Sequence, residues 1–122
     1  MKWKELSIRQ KIGWGLTVPF ALFIAFMSAI NKLTLDEGSA ELFASHGLEG
    51  WLLIIGIGEL ASLLFFLIPK TMRLGMVLFS AYFGGAIMFH MSESEDFSFP
   101  AIFLIGVWVI ASLRQKGSIL NV

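Results

Sequence analysis

The chain has 122 residues, 57% of them hydrophobic and 15% charged, with a mean hydropathy of +0.79 and nine basic residues balanced against nine acidic ones. A soluble domain runs about 45–50% apolar and about 25% charged, so this composition excludes an ordinary water-solvated globule and makes lipid the expected solvent. Zero net charge excludes a generally basic nucleic-acid binder, and the absence of cysteine excludes a disulfide scaffold, a dithiol redox motif and thiolate metal ligation.

Four apolar stretches, residues 12–30, 51–68, 74–91 and 97–113, run 17 to 19 residues each. At 1.5 Å per residue each matches a hydrocarbon core of about 30 Å. Uninterrupted runs of this length read as helices, because backbone in lipid must satisfy its own hydrogen bonds. The expected fold is all-α: an integral membrane four-helix bundle, residues 1–122 forming a single transmembrane domain. A cleaved signal peptide competes for the first stretch. That run exceeds the usual 7–15-residue signal core, and its removal would leave an odd number of spans, so retention is expected.

Within the first span Pro19 should kink the helix and free the carbonyl of Gly15. The outer loop, 31–50, holds Ser39 to His46 followed by Gly47, the pattern of a short capped interfacial helix. Pro69 should end the second span, and Pro100 suits the first turn of the fourth, where its missing N–H costs nothing. Gly58 with Ser62, Ser80 with Gly84, and Ala81 with Gly85 form small-xxx-small pairs that would let helices approach closely. Trp14, Trp51 and Trp108 lie toward helix ends, as an interfacial belt requires.

Lys2, Lys4, Arg9 and Lys11 precede the first span, Lys70 and Arg73 separate the second from the third, and Arg114 and Lys116 follow the fourth. An even number of spans puts these eight of nine basic residues on one side. By the positive-inside rule that side is the cytoplasm, with both termini in it. The other side holds Asp36, Glu37, Glu41, Glu49, Glu93, Glu95 and Asp96, with Lys32 as its only cation.

Glu59 breaks this segregation. It lies eight residues beyond Trp51, about 12 Å into the hydrocarbon, where a charge costs at least ~2.5–3.5 kcal/mol. It must face the bundle and be protonated, paired or hydrated. Side chains lean toward the N-terminus of their helix, so Glu59 leans outward while Asn31, Lys32, Tyr82 and His90 lean inward. Tyr82, Ala86 and His90 share one stripe at i, i+4 and i+8. The expected result is a polar pocket in the outer half of the membrane, made by Lys32, Glu59, Tyr82 and His90, with Asn31, Ser28 and Ser62 behind them. It would serve ligand binding or proton relay. The competing reading is structural: Glu59 fixing helix register, His90 and Lys32 as interfacial groups, Tyr82 as core. His46 reads as a loop-helix residue, the six Met as core fillers, and the outer acids lack the spacing of a calcium cage. No phosphate loop, nucleophile elbow or H-E-x-x-H is present, and no metal site is expected.

Several segments resemble the DoxX-like family of small four-helix membrane proteins. They are Ser28-Ala29-Ile30-Asn31-Lys32-Leu33, Glu41-Leu42-Phe43 through Gly47 to Trp51-Leu52, Gly58-Glu59-Leu60, Leu67-Ile68-Pro69, and Tyr82-Phe83-Gly84-Gly85-Ala86 with His90 four further on. The chain departs from the pattern at Ala29, where Gly is commoner, and in the acids after His90. The resemblance implies a bacterial inner-membrane protein, associated with quinone-linked oxidation of sulfur compounds or with membrane oxidoreductase complexes. The expected function is a membrane subunit of a quinone-linked oxidoreductase. It would have no intrinsic cofactor, quinone as the ligand, a redox protein as partner, no nucleic acid, and an oligomeric state left open. The alternative is a non-enzymatic accessory, assembly or chaperone subunit of a larger membrane complex. A small transporter is a weaker third reading, since no inverted pair of broken helices is visible.

Overall fold

The computed structural model describes residues 3–29, 32, 34, 37–48 and 50–115, without the side chains of Met27, Ser28 and Ser39. These residues are mostly helical, with no strand among them. Among them five α-helices are described: α1 (Ile8–Phe23), α2 (Glu37–Ser45), α3 (Leu52–Leu67), α4 (Met72–Ser92) and α5 (Ser98–Arg114). A π-helical stretch, Ile24–Ala29, carries α1 onward toward Lys32.

α1 starts four residues earlier than its apolar stretch. The Ser7 hydroxyl accepts from the Gln10 amide at 3.2 Å while the Gln10 side chain accepts from the Ser7 amide at 3.0 Å, a capping box that hydropathy cannot register because its members are polar. The helix runs through Pro19 without ending. α3 stops before Pro69, which opens a short 3₁₀ turn, Pro69–Thr71. α4 packs against α3 on one side and α5 on the other, and α5 packs against α1.

The core is aromatic. Phe20, Phe66 and Phe79 meet with ring centroids 5.5–5.8 Å apart, two of the three pairs edge to face. From there the rings continue through Phe83 and Phe103 to Phe23 and Phe99. Such pairs add about 0.5–1.5 kcal/mol beyond their buried area.

Close helix approach occurs elsewhere than the small-residue pairs suggest. A Cβ placed on Gly58, Gly84 or Gly85 would meet nothing within 4 Å, whereas one on Gly75 would come within 2.3 Å of the Phe66 backbone nitrogen. Gly13 is also close against α5, though less tightly, with Leu113 and Arg114 atoms at 2.9 Å. The spacing of small residues is therefore present on α3 and α4, but the seam between them runs along the face that carries Gly75.

At the end of the bundle where α3 stops, its last four carbonyls are all satisfied. The Ile68 amide donates to Leu64, the Thr71 hydroxyl to Phe65 at 2.8 Å, and the Arg114 guanidinium to Phe66 at 2.7 Å and Leu67 at 3.2 Å. Arg114 also lies over the Trp14 ring, 3.7 Å from its centroid; Trp14 sits inside α1 and not at its end, and holds a cation there. Trp108 instead donates its indole N–H to Ser80 on α4 at 3.0 Å.

Large apolar side chains also cover the outside: Ile8, Leu22 and Phe26 along the first helix, Ile57 and Leu64 on α3, Val77 and Met88 on α4, Ile102 and Ile105 on α5. The segment Pro69–Ser92 is long and apolar enough to cross a membrane, while Leu52–Leu67 and Ser98–Arg114 are shorter apolar helices.

Candidate functional site

Opposite the Arg114 end, the last turn of α1, Lys32, α2, the first turn of α3, α4 and the start of α5 border a partly open cavity of about 530 Å³. Rings make up about half of its walls: Phe23, Phe99 and Phe103 on one side, Phe43 and Phe89 on another. Among the described residues three polar side chains reach it, Lys32, Tyr82 and His90. A wider depression of about 650 Å³ runs along the outside of α5 near Trp108 and Arg9. It is a flatter apolar surface that neither Glu59 nor His90 lines, so the deeper cavity is the stronger site.

Lys32 is the hinge of the arrangement. Its ammonium lies 3.3 Å from Glu59 Oε1 and 5.6 Å from the centre of the Tyr82 ring. Glu59 has no exposed surface and Lys32 retains 14%, so the carboxylate is sealed behind the lysine and the lysine alone of the pair borders the cavity. An ammonium carries three donors. One of them is on Glu59, and the π face of Tyr82 further offsets the cost of holding the cation out of water.

His90 stands on the cavity wall one turn beyond Ala86. Its Nδ1 lies 2.8 Å from the Ala86 carbonyl. A carbonyl only accepts, so Nδ1 carries the hydrogen, and in the neutral ring Nε2 is left as an acceptor. The site thus presents a cationic donor, Lys32, and a histidine acceptor in one aromatic chamber.

Of the predicted site residues, the structure joins Lys32, Glu59 and Tyr82 directly and places His90 on the same cavity. Asn31 lies outside the described residues, as does the side chain of Ser28. Ser62 turns away, donating to Gly58 of its own helix at 2.7 Å. The acids and histidines of the described residues form no group fit to hold a metal ion.

Two contributors escaped the sequence reading. Leu42 and Phe43 of α2 form part of the cavity wall, so the loop helix belongs to the site. His46 then ties α2 to the end of α4, with Nε2 3.0 Å from the Ser92 hydroxyl and 2.6 Å from Glu93 Oε1. The available signal was Gly47. It adopts φ +72°, and the Gly47 and Leu48 amides bond back to Ala44 and Phe43, a Schellman close that puts His46 at the helix C-cap.

The profile of the DoxX-like family matches residues 15–112. The chain belongs to the DoxX-like family. The matched region runs from α1 to near the end of α5 and so includes every wall of the cavity in this DoxX-like chain. Comparison with curated proteins finds no match, and comparison with solved structures finds none either.

Proposed function

We propose that this DoxX-like protein is a multi-pass protein of the bacterial inner membrane, with both termini cytoplasmic, and that its cavity receives a quinone for a membrane-bound oxidoreductase. The observation that carries this reading is the ring-lined chamber of about 530 Å³ with Lys32 and His90 on its walls. That volume lies in the range of ligand pockets, about 300–1,000 Å³.

The membrane assignment is supported by the apolar exterior of α1, α3, α4 and α5, by the length and composition of Pro69–Ser92, and by the gathering of eight basic residues on one side. A quinone fits the polar groups present: its carbonyl needs a donor and a protonatable neighbour. Lys32 supplies ammonium hydrogens to a carbonyl oxygen, and His90 Nε2 accepts a hydrogen bond from a quinol hydroxyl. Glu59, behind Lys32, holds the ammonium in place and offers a carboxylate to which a proton can pass. When bound, the quinone supplies the two-electron chemistry, and the electrons reach it from a partner protein.

A second reading, a non-enzymatic accessory or assembly subunit, draws on the same pair. Glu59 is wholly buried and already paired with Lys32, as in structural ion pairs that specify packing. The test is equilibrium binding of a short-tailed ubiquinol to the purified full chain in lipid nanodiscs. It compares wild type, Glu59→Gln and Gly85→Leu, a substitution that grows a side chain from the cavity wall. Binding by wild type, weakened in Glu59→Gln and lost in a folded Gly85→Leu, supports the quinone site. No binding by wild type, or equal binding by all three, overturns it and leaves the accessory role.

A further inference from the structure

Both edges of the His46 ring face hydrogen-bonding groups. The Leu42 carbonyl lies 3.0 Å from Nδ1, and a carbonyl accepts only. The Ser45 hydroxyl, 3.3 Å from the same nitrogen, donates its one hydrogen to the Leu42 carbonyl at 2.6 Å, so it too presents a lone pair. On the other edge Glu93 Oε1 lies 2.6 Å from Nε2. The Ser92 hydroxyl, 3.0 Å from Nε2, donates its hydrogen to the Phe89 carbonyl at 2.7 Å. The Leu42 carbonyl on Nδ1 and the Glu93 carboxylate on Nε2 are both acceptors. A neutral imidazole has one N–H and can serve only one edge; the imidazolium has two and serves both.

The ring also packs on Phe89, with centroids 4.2 Å apart, and Phe43 of α2 packs on the same Phe89 at 5.1 Å. Phe43 and Phe89 are cavity walls. The fastening of His46 to the end of α4 therefore lies directly against one wall of the cavity.

We propose that α2 is a lid over the cavity and that His46 is its latch: the imidazolium, gripped between the Leu42 carbonyl and the Glu93 carboxylate, holds the lid shut, and loss of its second proton releases it. This rests on the cavity being a ligand site, and it makes ligand exchange responsive to the pH on that side of the protein. Imidazole changes charge between about pH 5 and 8. The two-edged grip needs both ring N–H groups, so the latch holds on the acid side of that range and weakens as pH rises.

Among the described residues, the other titratable groups on the elements that meet here have partners of their own or are exposed. Lys32 and Glu59 pair with each other, and Asp96 bonds Ser98. The Nδ1 of His90 is on Ala86, and Glu37, Glu41 and Glu95 are exposed. Glu93 is the carboxylate that meets the His46 ring.

The chain has no cysteine, so two introduced ones carry spin labels without background. Ala40→Cys on α2 and Val77→Cys on α4 are both at exposed positions. Double electron–electron resonance on the ligand-free full chain in nanodiscs should show one dominant distance at pH 6. At pH 8.5 a longer component should have grown roughly tenfold, the scale of one charge-assisted hydrogen bond. In Glu93→Gln and in His46→Ala the longer component should be present at both pH values. A wild-type distribution that is the same at pH 6 and 8.5 overturns the latch, as does wild-type pH dependence in either variant. Because no ligand is present, a lid that moves in a protein that fails to bind ubiquinol refutes the ligand reading alone, and ubiquinol binding with a static lid refutes the latch alone.

Discussion

Replacing Gly75 with alanine should separate the two kinds of glycine in this bundle. The added Cβ would lie 2.3 Å from the Phe66 nitrogen, 2.5 Å from its Cα and 2.8 Å from its Cβ. Ordinary non-bonded contact between carbons is about 3.5–4.0 Å, so α3 and α4 must part by about 1 Å. The obstructing atoms are mostly backbone, and no side-chain rotation relieves them. Parting the helices draws Phe66 from Phe79 and Phe20, now 5.7 and 5.8 Å away by ring centroid. It also pulls the Phe66 carbonyl from Arg114. Overpacking of this kind costs about 1–3 kcal/mol, here at the upper end, offset by about 1 kcal/mol of helix propensity gained over glycine. The net loss is about 2 kcal/mol. The control is Gly84→Ala on the same helix, where nothing lies within 4 Å and the propensity gain stands alone at about 0.5–1 kcal/mol. Two chemically identical changes nine positions apart should therefore differ by about 3 kcal/mol, on the order of 10 °C or more in Tm for a chain of this size. Circular dichroism melts in detergent would measure it. A Gly75→Ala protein as stable as Gly84→Ala would refute the claim that the α3–α4 seam runs through Gly75.

Arg114→Lys keeps the charge but loses the planar fork that reaches two carbonyls while lying on Trp14; it should cost about 1–3 kcal/mol in the same melts, and a lysine variant of wild-type stability would show that charge alone is needed there. Asp96 accepts from the Ser98 hydroxyl at 2.6 Å and from its amide at 3.0 Å, and these bonds, the hydroxyl first, hold its carboxyl below the ordinary value of 3.8. A depressed carboxylate stabilises the fold above its unfolded pKa and ceases to do so as pH falls through its folded one. The Ser98 amide resonance should accordingly titrate with a midpoint below 3.8; a midpoint at or above that value would mean that the turn into α5 does not hold the ionised form.

Hydropathy made the long helices legible because each is an unbroken apolar run, and a run is a one-dimensional property. It missed the first turn of α1, where Ser7 and Gln10 do the capping with polar side chains. Depth and lean brought Lys32 and Glu59 within reach of each other before any coordinates, since both quantities follow from position along a helix. The glycine pairs misled for the complementary reason. Spacing of four says that two small residues share a face, but not which face meets a neighbour, and that rotation is decided by how Phe66, Phe79 and Phe20 interlock.

The same limit explains His46 and Arg114. Each was read by its local setting, one as a loop-helix residue and one as a charge that orients the chain. Each in fact acts on a distant element: His46 on Ser92, 46 positions on, and Arg114 on Phe66, 48 positions back. Both sit at the last turn of a helix, and both close an end of the bundle by offering two N–H edges to acceptors. An arginine keeps both edges at any physiological pH, whereas a histidine keeps both only while doubly protonated. The end closed by Arg114 is thus permanently fastened, and the end closed by His46, where the cavity lies, is the one that proton concentration can open.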